Sequence, residues 1–386
     1  MALYHALRPL LFRLDAEAAH GAGMLAAGVG ETLSPAVRAA LARGSRNEAL
    51  GQTLFAHDGA DGRPARPGLY VPNPIGLAAG FDKNAERVPL WAAVGFGFAE
   101  VGSVTAEARD GNPKPRAFRL PDDRALVNRM GLNNAGAAAV GQRLATLRAD
   151  GLPDPFVLGV NVAKTHDPAI LGDAALDDFA ETVRHVGPHA DYLALNVSCP
   201  NTEEGKTFEE PAALDALLAR VRAELVALGG RAATVPVLVK LSPPAPRHFD
   251  AGRLAESVAA CRRHGVDGFI ATNTAPDRAG LRTDAGTLEA VGKGGLSGRP
   301  LQARSTALVR HLYRLTGGAL PVVGVGGVDS SKAAYAKIRA GASLVGLYTG
   351  LVYEGPGLVG RIARGLARRL DRDGFGSVEE AVGVDA

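Results

Sequence analysis

The sequence predicts a protein of the α/β class, a (β/α)8 TIM barrel with an N-terminal helical extension. Three observations carry that prediction. From about residue 70 onward, eight short apolar runs recur along the chain. Amphipathic stretches at helical spacing separate most of them, and alternating strand and helix builds a parallel sheet. No GxGxxG follows the first run, which favours a closed barrel over an open doubly wound sheet.

The apolar runs fall at 75–79, 98–102, 157–161, 192–197, 237–241, 268–272, 322–325 and 343–348. Helical patterns lie at 178–185, 212–228, 251–264 and 332–340. Ahead of them, residues 1–46 are Ala/Leu-rich and read as two short helices. Leu3, Leu7, Leu10, Leu11 and Leu14 share one helical face, although Pro9 is expected to kink or restart that helix. Ser34-Pro35 reads as an N-cap followed by proline at the first helical position, and Gly44 as the stop. Residues 47–69 are rich in Gly, Asp, Arg and Pro and read as a connector, so the barrel is expected over 70–386. The 386 residues suit one α/β barrel as well as two smaller domains.

Composition narrows the function classes. With 46% apolar and 22% charged residues the chain is globular rather than disordered. A formal charge of +3 gives no ground for a nucleic-acid partner. Cys199 and Cys261 are too few for a disulfide framework or a four-ligand zinc site, which fits a reducing compartment. No apolar run approaches the roughly 18 residues of a membrane-crossing helix. Arg8, Arg13, Asp15 and Glu17 interrupt the apolar core that a signal peptide needs.

A parallel barrel builds its site at the C-terminal ends of its strands, so the residues just after each run are the informative ones. They are Ala79, Gly80, Phe81, Asp82, Lys83 and Asn84, then Ser103, Asn161, and Asn196 with Ser198, Cys199 and Asn201. Lys240, Thr272, Asn273, Thr274, Gly326, Gly327, Tyr348 and Thr349 complete the rim. An asparagine after a strand is commonly only a turn residue. Lys240 is different, because an ammonium inside an apolar strand costs several kcal/mol unless it meets an anion. Gly298, Gly326 and Gly327 offer bare backbone N–H groups, and Tyr348-Thr349 add donors near a helix start, the pattern of a barrel phosphate site. The plain alternative is that these glycines only permit tight turns.

Six segments in this order closely resemble the dihydroorotate dehydrogenases. They are the run ending in Lys83, Asn128-Arg129-Met130-Gly131-Leu132-Asn133-Asn134, Asn196 through Thr202, Ala271-Thr272-Asn273-Thr274, residues 294–300 and residues 324–327. The resemblance spans about residues 70 to 365. The helical extension and the Asn-Arg-Met-Gly segment look like the quinone-using class rather than the shorter soluble class.

The resemblance implies FMN, held by Ala79, Gly80, Phe81, Asp82, Lys83, Ser103, Asn161, Asn196, Lys240, Thr272, Gly298, Gly327, Tyr348 and Thr349. Lys240 would lie at the pyrimidine edge, where a fixed cation favours the anionic reduced flavin. Dihydroorotate would be bound by Lys83, Asn128, Arg129, Met130, Gly131, Leu132, Asn196, Asn201, Asn273 and Thr274. Asparagines suit a ring bearing amide N–H and C=O groups, since each offers donor and acceptor. The implied reaction removes a proton alpha to a carbonyl and a hydride from the neighbouring carbon. Cys199 stands where the base belongs. The quinone-using class usually carries serine there, and cysteine is the habit of the soluble class. The segment from Thr202 to Thr207 is more acidic than the family's active-site loop, and is still expected to act as a lid.

The resemblance also places a quinone tunnel between the extension and the barrel, with His20, Arg119 and Tyr348 at its polar end. The leucine face and nearby arginines suit a helix lying in a membrane interface, so peripheral attachment at the cytoplasmic face is expected. The same face would equally suit packing on the barrel. Two rival functions remain at this point: a soluble relative using fumarate or NAD, and a flavin-free barrel lyase or isomerase gripping a phosphorylated substrate.

Overall fold

A computed structural model describes the chain except residues 1, 32–44, 46, 60–62, 199–206 and 247–248. The eight runs become eight parallel strands: β3 (Ile75–Leu77), β4 (Phe98–Val104), β7 (Val157–Val162), β8 (Tyr192–Asn196), β9 (Val237–Leu241), β10 (Gly268–Ala271), β12 (Val322–Val325) and β13 (Leu344–Leu347). They close as β3-β4-β7-β8-β9-β10-β12-β13, each hydrogen-bonded to its neighbours. Every one of these strands is buried along almost its whole length, because helices cover the outside and side chains fill the inside.

The N-terminal extension departs from expectation. The first helix, α1, runs Ala2–Leu11 with Pro9 inside its last turn, and a second, α2, runs Ala16–Glu31. Pro9 therefore ends the helix within three residues rather than restarting it. Four glycines disguise α2 in the sequence. Its start is nevertheless marked, because Asp15 Oδ1 accepts from the backbone N–H groups of Glu17 and Ala18 at 2.9 and 3.0 Å. The helix expected from Ser34 to Gly44 lies outside the described residues.

The connector is more ordered than a linker. Within it and just past it, β1 (Gln52–Leu54) and β2 (Leu69–Val71) pair antiparallel. Phe55 and Val71 pack into the apolar plug at the barrel's closed end, against Phe98, Tyr192, Leu238 and Ile270. Gly159 makes room for the largest member, since a Cβ there would fall 2.0 Å from the Tyr192 ring. At the other end, a three-stranded antiparallel sheet that was not anticipated combines β5 (Ala117–Leu120), β6 (Ala125–Asn128) and β11 (Gly295–Gly298). It brings the segment after Asn128 and the glycines before Arg299 to the same side of the mouth.

The helical expectations hold at their cores: α3 (Val88–Val94) and α4 (Ala137–Asp150) precede α5 (Asp173–Val186), α6 (Pro211–Leu228), α7 (Gly230–Thr234), α8 (Ala251–Arg263), α9 (Ala285–Val291), α10 (Gln302–Thr316), α11 (Ser331–Arg339), α12 (Thr349–Glu354), α13 (Leu358–Asp373) and α14 (Val378–Ala381). Among the described residues no helix is long and apolar enough to cross a membrane.

Candidate active site

The strand ends converge on one cavity, with about 1060 Å³ between its walls counted out to the open mouth. Ala79, Gly80 and Lys83 line it after β3, Ser103 in β4, and Asn196 and Lys240 in β8 and β9. Thr272, Asn273 and Thr274 follow β10, and Gly326, Gly327, Tyr348, Thr349 and Gly350 follow β12 and β13. Asn128 and Gly298 of the antiparallel sheet, with Met130, Gly131 and Leu132 just past β6, close one side of the cavity. The turn at Gly327 (φ 71°) admits only glycine, because an added Cβ would fall 2.6 Å from Gln302 Cβ.

Four of the residues expected to hold the cofactor or the substrate stand outside this lining. Asp82 is buried and accepts from the N–H groups of Glu86 and Arg87 and from Trp91 Nε1, all within 2.8–2.9 Å, so it anchors the loop after β3. Phe81 points the other way, edge-on to His20, Trp91 and Tyr348. Asn161 is fully buried beneath Ser103. Arg129 turns away, stacked over Phe118 at 4.6 Å and donating to the Lys293 and Pro115 carbonyls. Cys199 and Asn201, and the loop that carries them, lie outside the described residues.

Lys83 is largely enclosed and donates to Asn133 Oδ1. Burial and the Arg116 charge lower its pKa to about 8, against the opposing field of Glu17. The Lys240 ammonium meets its anion inside the protein: Glu100 Oε1 lies 3.3 Å away. The same carboxylate accepts from Asn161 Nδ2 at 2.9 Å and from the Tyr192 hydroxyl at 3.3 Å. The sequence reading passed over Glu100 and Tyr192. The signal was available for Glu100, which interrupts an apolar strand just as Lys240 does.

A second cavity adjoins the first, between α2 and the barrel, with about 1340 Å³ between its walls to the opening. His20, Arg119 and Tyr348 all face it, with Met24, Leu25, Phe81 and Val352 as apolar wall. Burial pushes the Tyr348 phenol up to about 12. Burial, and next the Lys83 charge, hold His20 below the usual imidazole range. Helix α2 is tied down by Glu17, which accepts from Arg116 Nε and Nη2 at 2.9 and 2.7 Å. Gly80, Lys83, Asn128 and Met130 line both cavities, so only a thin wall separates them.

A closed parallel barrel with two adjoining pockets at its mouth defines an α/β barrel protein whose site lies at the C-terminal ends of its strands. The profile of the family described as dihydroorotate dehydrogenase matches residues 65–370. Proteins named dihydroorotate dehydrogenase (quinone) are 47% identical from Deinococcus deserti, over 98% of this chain and 99% of theirs. One from Roseiflexus castenholzii is 44% identical over 100% of this chain and 97% of its own. A solved structure titled DHODH in complex with ferulenol, from Eimeria tenella, superposes with TM-score 0.81 at 35% identity, covering 96% of each chain. The chain belongs to the dihydroorotate dehydrogenase family.

Proposed function

We propose that this chain oxidises (S)-dihydroorotate to orotate and passes the electrons to a membrane quinone, as a step of de novo pyrimidine biosynthesis. The carrying observation is the pair of adjoining cavities, the inner one lined by Lys83, Lys240, Asn196 and Asn273 and the outer one covered by α2. Its relatives carry the quinone form of the name over alignments that include the extension. That supports the quinone class over a fumarate- or NAD-linked relative, in spite of the cysteine at 199.

The inner cavity fits FMN. The Gly327 turn leaves backbone where a side chain cannot stand, and Gly298, with Ser297 and Thr349 hydroxyls 2.9 Å apart, completes a cradle for a phosphate. A planar ring with amide-like edges suits Lys240 and the Asn196 amide, with Ala79, Gly80, Ser103, Thr272 and Tyr348 around it. FMN would supply the hydride acceptance that no protein side chain offers. Phe81, Asp82 and Asn161 would support that cradle from behind.

The rest falls to this chain's own residues. Lys83 would hold the substrate carboxylate. Asn128, Asn196, Asn201, Asn273 and Thr274 would meet the ring's amide edges, with Met130, Gly131 and Leu132 closing over it and Arg129 bracing that segment. Cys199, immediately after Ser198, would take the proton alpha to the carbonyl. Lys83 works only when protonated and Cys199 only when ionised, so kcat/KM for dihydroorotate is expected to be bell-shaped, its falling limb set by Lys83 with a pKa of about 8. Lys83→Arg should move that fall beyond the measured range. A free-enzyme profile whose falling limb is the same in the wild type and in Lys83→Arg refutes the assignment.

We assign residues 1–46 to quinone and membrane contact, 47–69 to a connector and 70–386 to the catalytic barrel. Helix α1 docks through Tyr4 Oη and Arg8 Nη1, which donate to the Val352 and Tyr353 carbonyls. Leu7, Leu10, Leu14 and Leu25 are 43%, 58%, 49% and 72% exposed. An outward leucine face beside Arg13 supports peripheral attachment to a membrane at its cytoplasmic face, with His20, Arg119 and Tyr348 at the quinone's polar end.

The purified protein should be yellow and should turn over dihydroorotate with a soluble ubiquinone analogue, and not with fumarate or NAD. It should also sediment with phospholipid vesicles, and lose that on Leu7→Gln, Leu10→Gln and Leu14→Gln together. A colourless active protein would mean a flavin-free lyase or isomerase. Turnover with fumarate or NAD alone would mean that the extension serves another purpose.

A further inference from the structure

At the floor of the inner cavity, polar side chains in β4, β7, β8 and β9 and just past β8 and β10 form a circuit that closes through the Lys240 main chain. Glu100 in β4 accepts from Asn161 Nδ2 in β7, and Asn161 Oδ1 accepts from the Ser103 hydroxyl. Ser103 Oγ accepts from Asn196 Nδ2 at 3.0 Å, and Asn196 Oδ1 accepts from Asn273 Nδ2 at 3.0 Å. Asn273 Nδ2 also reaches Ser198 Oγ at 3.1 Å, and that hydroxyl donates to the Lys240 carbonyl at 2.8 Å. Lys240 Nζ then returns to Glu100.

An ionised carboxylate only accepts, so it dictates direction to the whole circuit. Asn161 must turn its NH₂ toward Glu100, which turns its carbonyl oxygen toward the Ser103 hydroxyl. With that hydroxyl proton committed, Ser103 must accept from Asn196. Asn196 therefore faces the cavity with its remaining N–H and lone pair in one fixed arrangement. The same carboxylate holds the Lys240 ammonium, and both side chains are more than nine-tenths buried.

We propose that Glu100 is a positioning residue of this site: it sets the direction of the amide circuit and, by pairing with Lys240, sets the charge that the cofactor's ring meets. This rests on the FMN reading above. Reduction of FMN to its anionic form takes up two electrons and one proton, so the site gains one negative charge. An unopposed Lys240 ammonium would favour that gain. Glu100 opposes it, which keeps the reduced cofactor ready to give its electrons on to an acceptor.

The test is the reduction potential of the bound cofactor in Glu100→Gln, measured by equilibration with a reference dye. Glutamine keeps the shape: its Oε1 can accept from Lys240 and Asn161 while its NH₂ donates to the Tyr192 oxygen. The expected result is about a tenfold rise in affinity for reduced over oxidised FMN, or about 30 mV for a two-electron couple. Tyr192→Phe removes a donor that disperses the Glu100 charge, and should shift the potential the opposite way by a smaller factor. Opposite signs in the two variants support a charge effect. An unchanged potential in Glu100→Gln, or shifts of one sign in both, overturn the proposal. A wild-type protein that purifies without flavin absorbance instead defeats the FMN reading, and so the two failures are told apart.

Discussion

Cys199→Ala is expected to slow dihydroorotate oxidation by ~10²–10⁴-fold in kcat, the usual contribution of a positioned general base. Breaking a C–H bond alpha to a carbonyl needs a base already aimed at the proton, and a thiol titrating near ~8.5 is partly ionised at neutral pH. The wild-type kcat should therefore rise with pH toward the thiol's pKa. Cys199→Ser should retain slow turnover through neighbours or water, and lose that rising limb. The other cysteine cannot supply the limb: Cys261 is fully buried in α8, and burial pushes its thiol up to about 12. Cys261→Ala should leave the profile unchanged. A Cys199→Ser enzyme as fast as wild type, with the same profile, would remove Cys199 from the role of base.

The barrel was legible because its code is local. Apolar runs of four to six residues, each followed by polar or glycine residues, located all eight strands and the rim that gathers Lys83, Asn196, Lys240, Asn273 and Gly327. What escaped depends on pairings distant in sequence. Strands β5, β6 and β11 are four residues each, and β11 finds β6 about 170 positions earlier, so neither carries a readable signal alone. Helix α2 was hidden by its glycines, although Asp15 marked its start. Glu100 and Lys240 carry the same signal, a charge inside an otherwise apolar strand, but their pairing spans 140 positions. A buried lysine in one strand demanded an anion, and an acid in another strand answered it.

Lys337→Met is expected to stabilise the protein at neutral pH by several kcal/mol, although nothing of the barrel's shape changes. Lys337 is fully buried between α11 and α10. Its Nζ lies within hydrogen-bond reach of Ser305 Oγ at 2.8 Å, Thr306 Oγ1 at 3.2 Å and the Gln302 carbonyl at 3.4 Å. No carboxylate among the described residues pairs with it, and burial lowers its pKa to about 7. In the unfolded chain the same group titrates near ~10.4. Between these values the unfolded state takes up a proton that the native state refuses. Lowering the pH through this window therefore costs stability, up to about 1.4 kcal/mol per pH unit, and below about 7 the loss is complete. Methionine fills a similar volume without a charge, and the groups left behind keep other partners: Ser305 still donates to the Val325 carbonyl and Thr306 to Gln302. Urea unfolding followed by the fluorescence of Trp91, the single tryptophan, gives the comparison directly. The advantage of Lys337→Met should be greatest near neutral pH and should shrink steadily as the pH is raised toward 10. A difference that is constant with pH would mean that Lys337 is ionised in the folded protein, held by its three oxygen partners. The position would then be an ordinary polar anchor beneath the turn that carries Gly326 and Gly327.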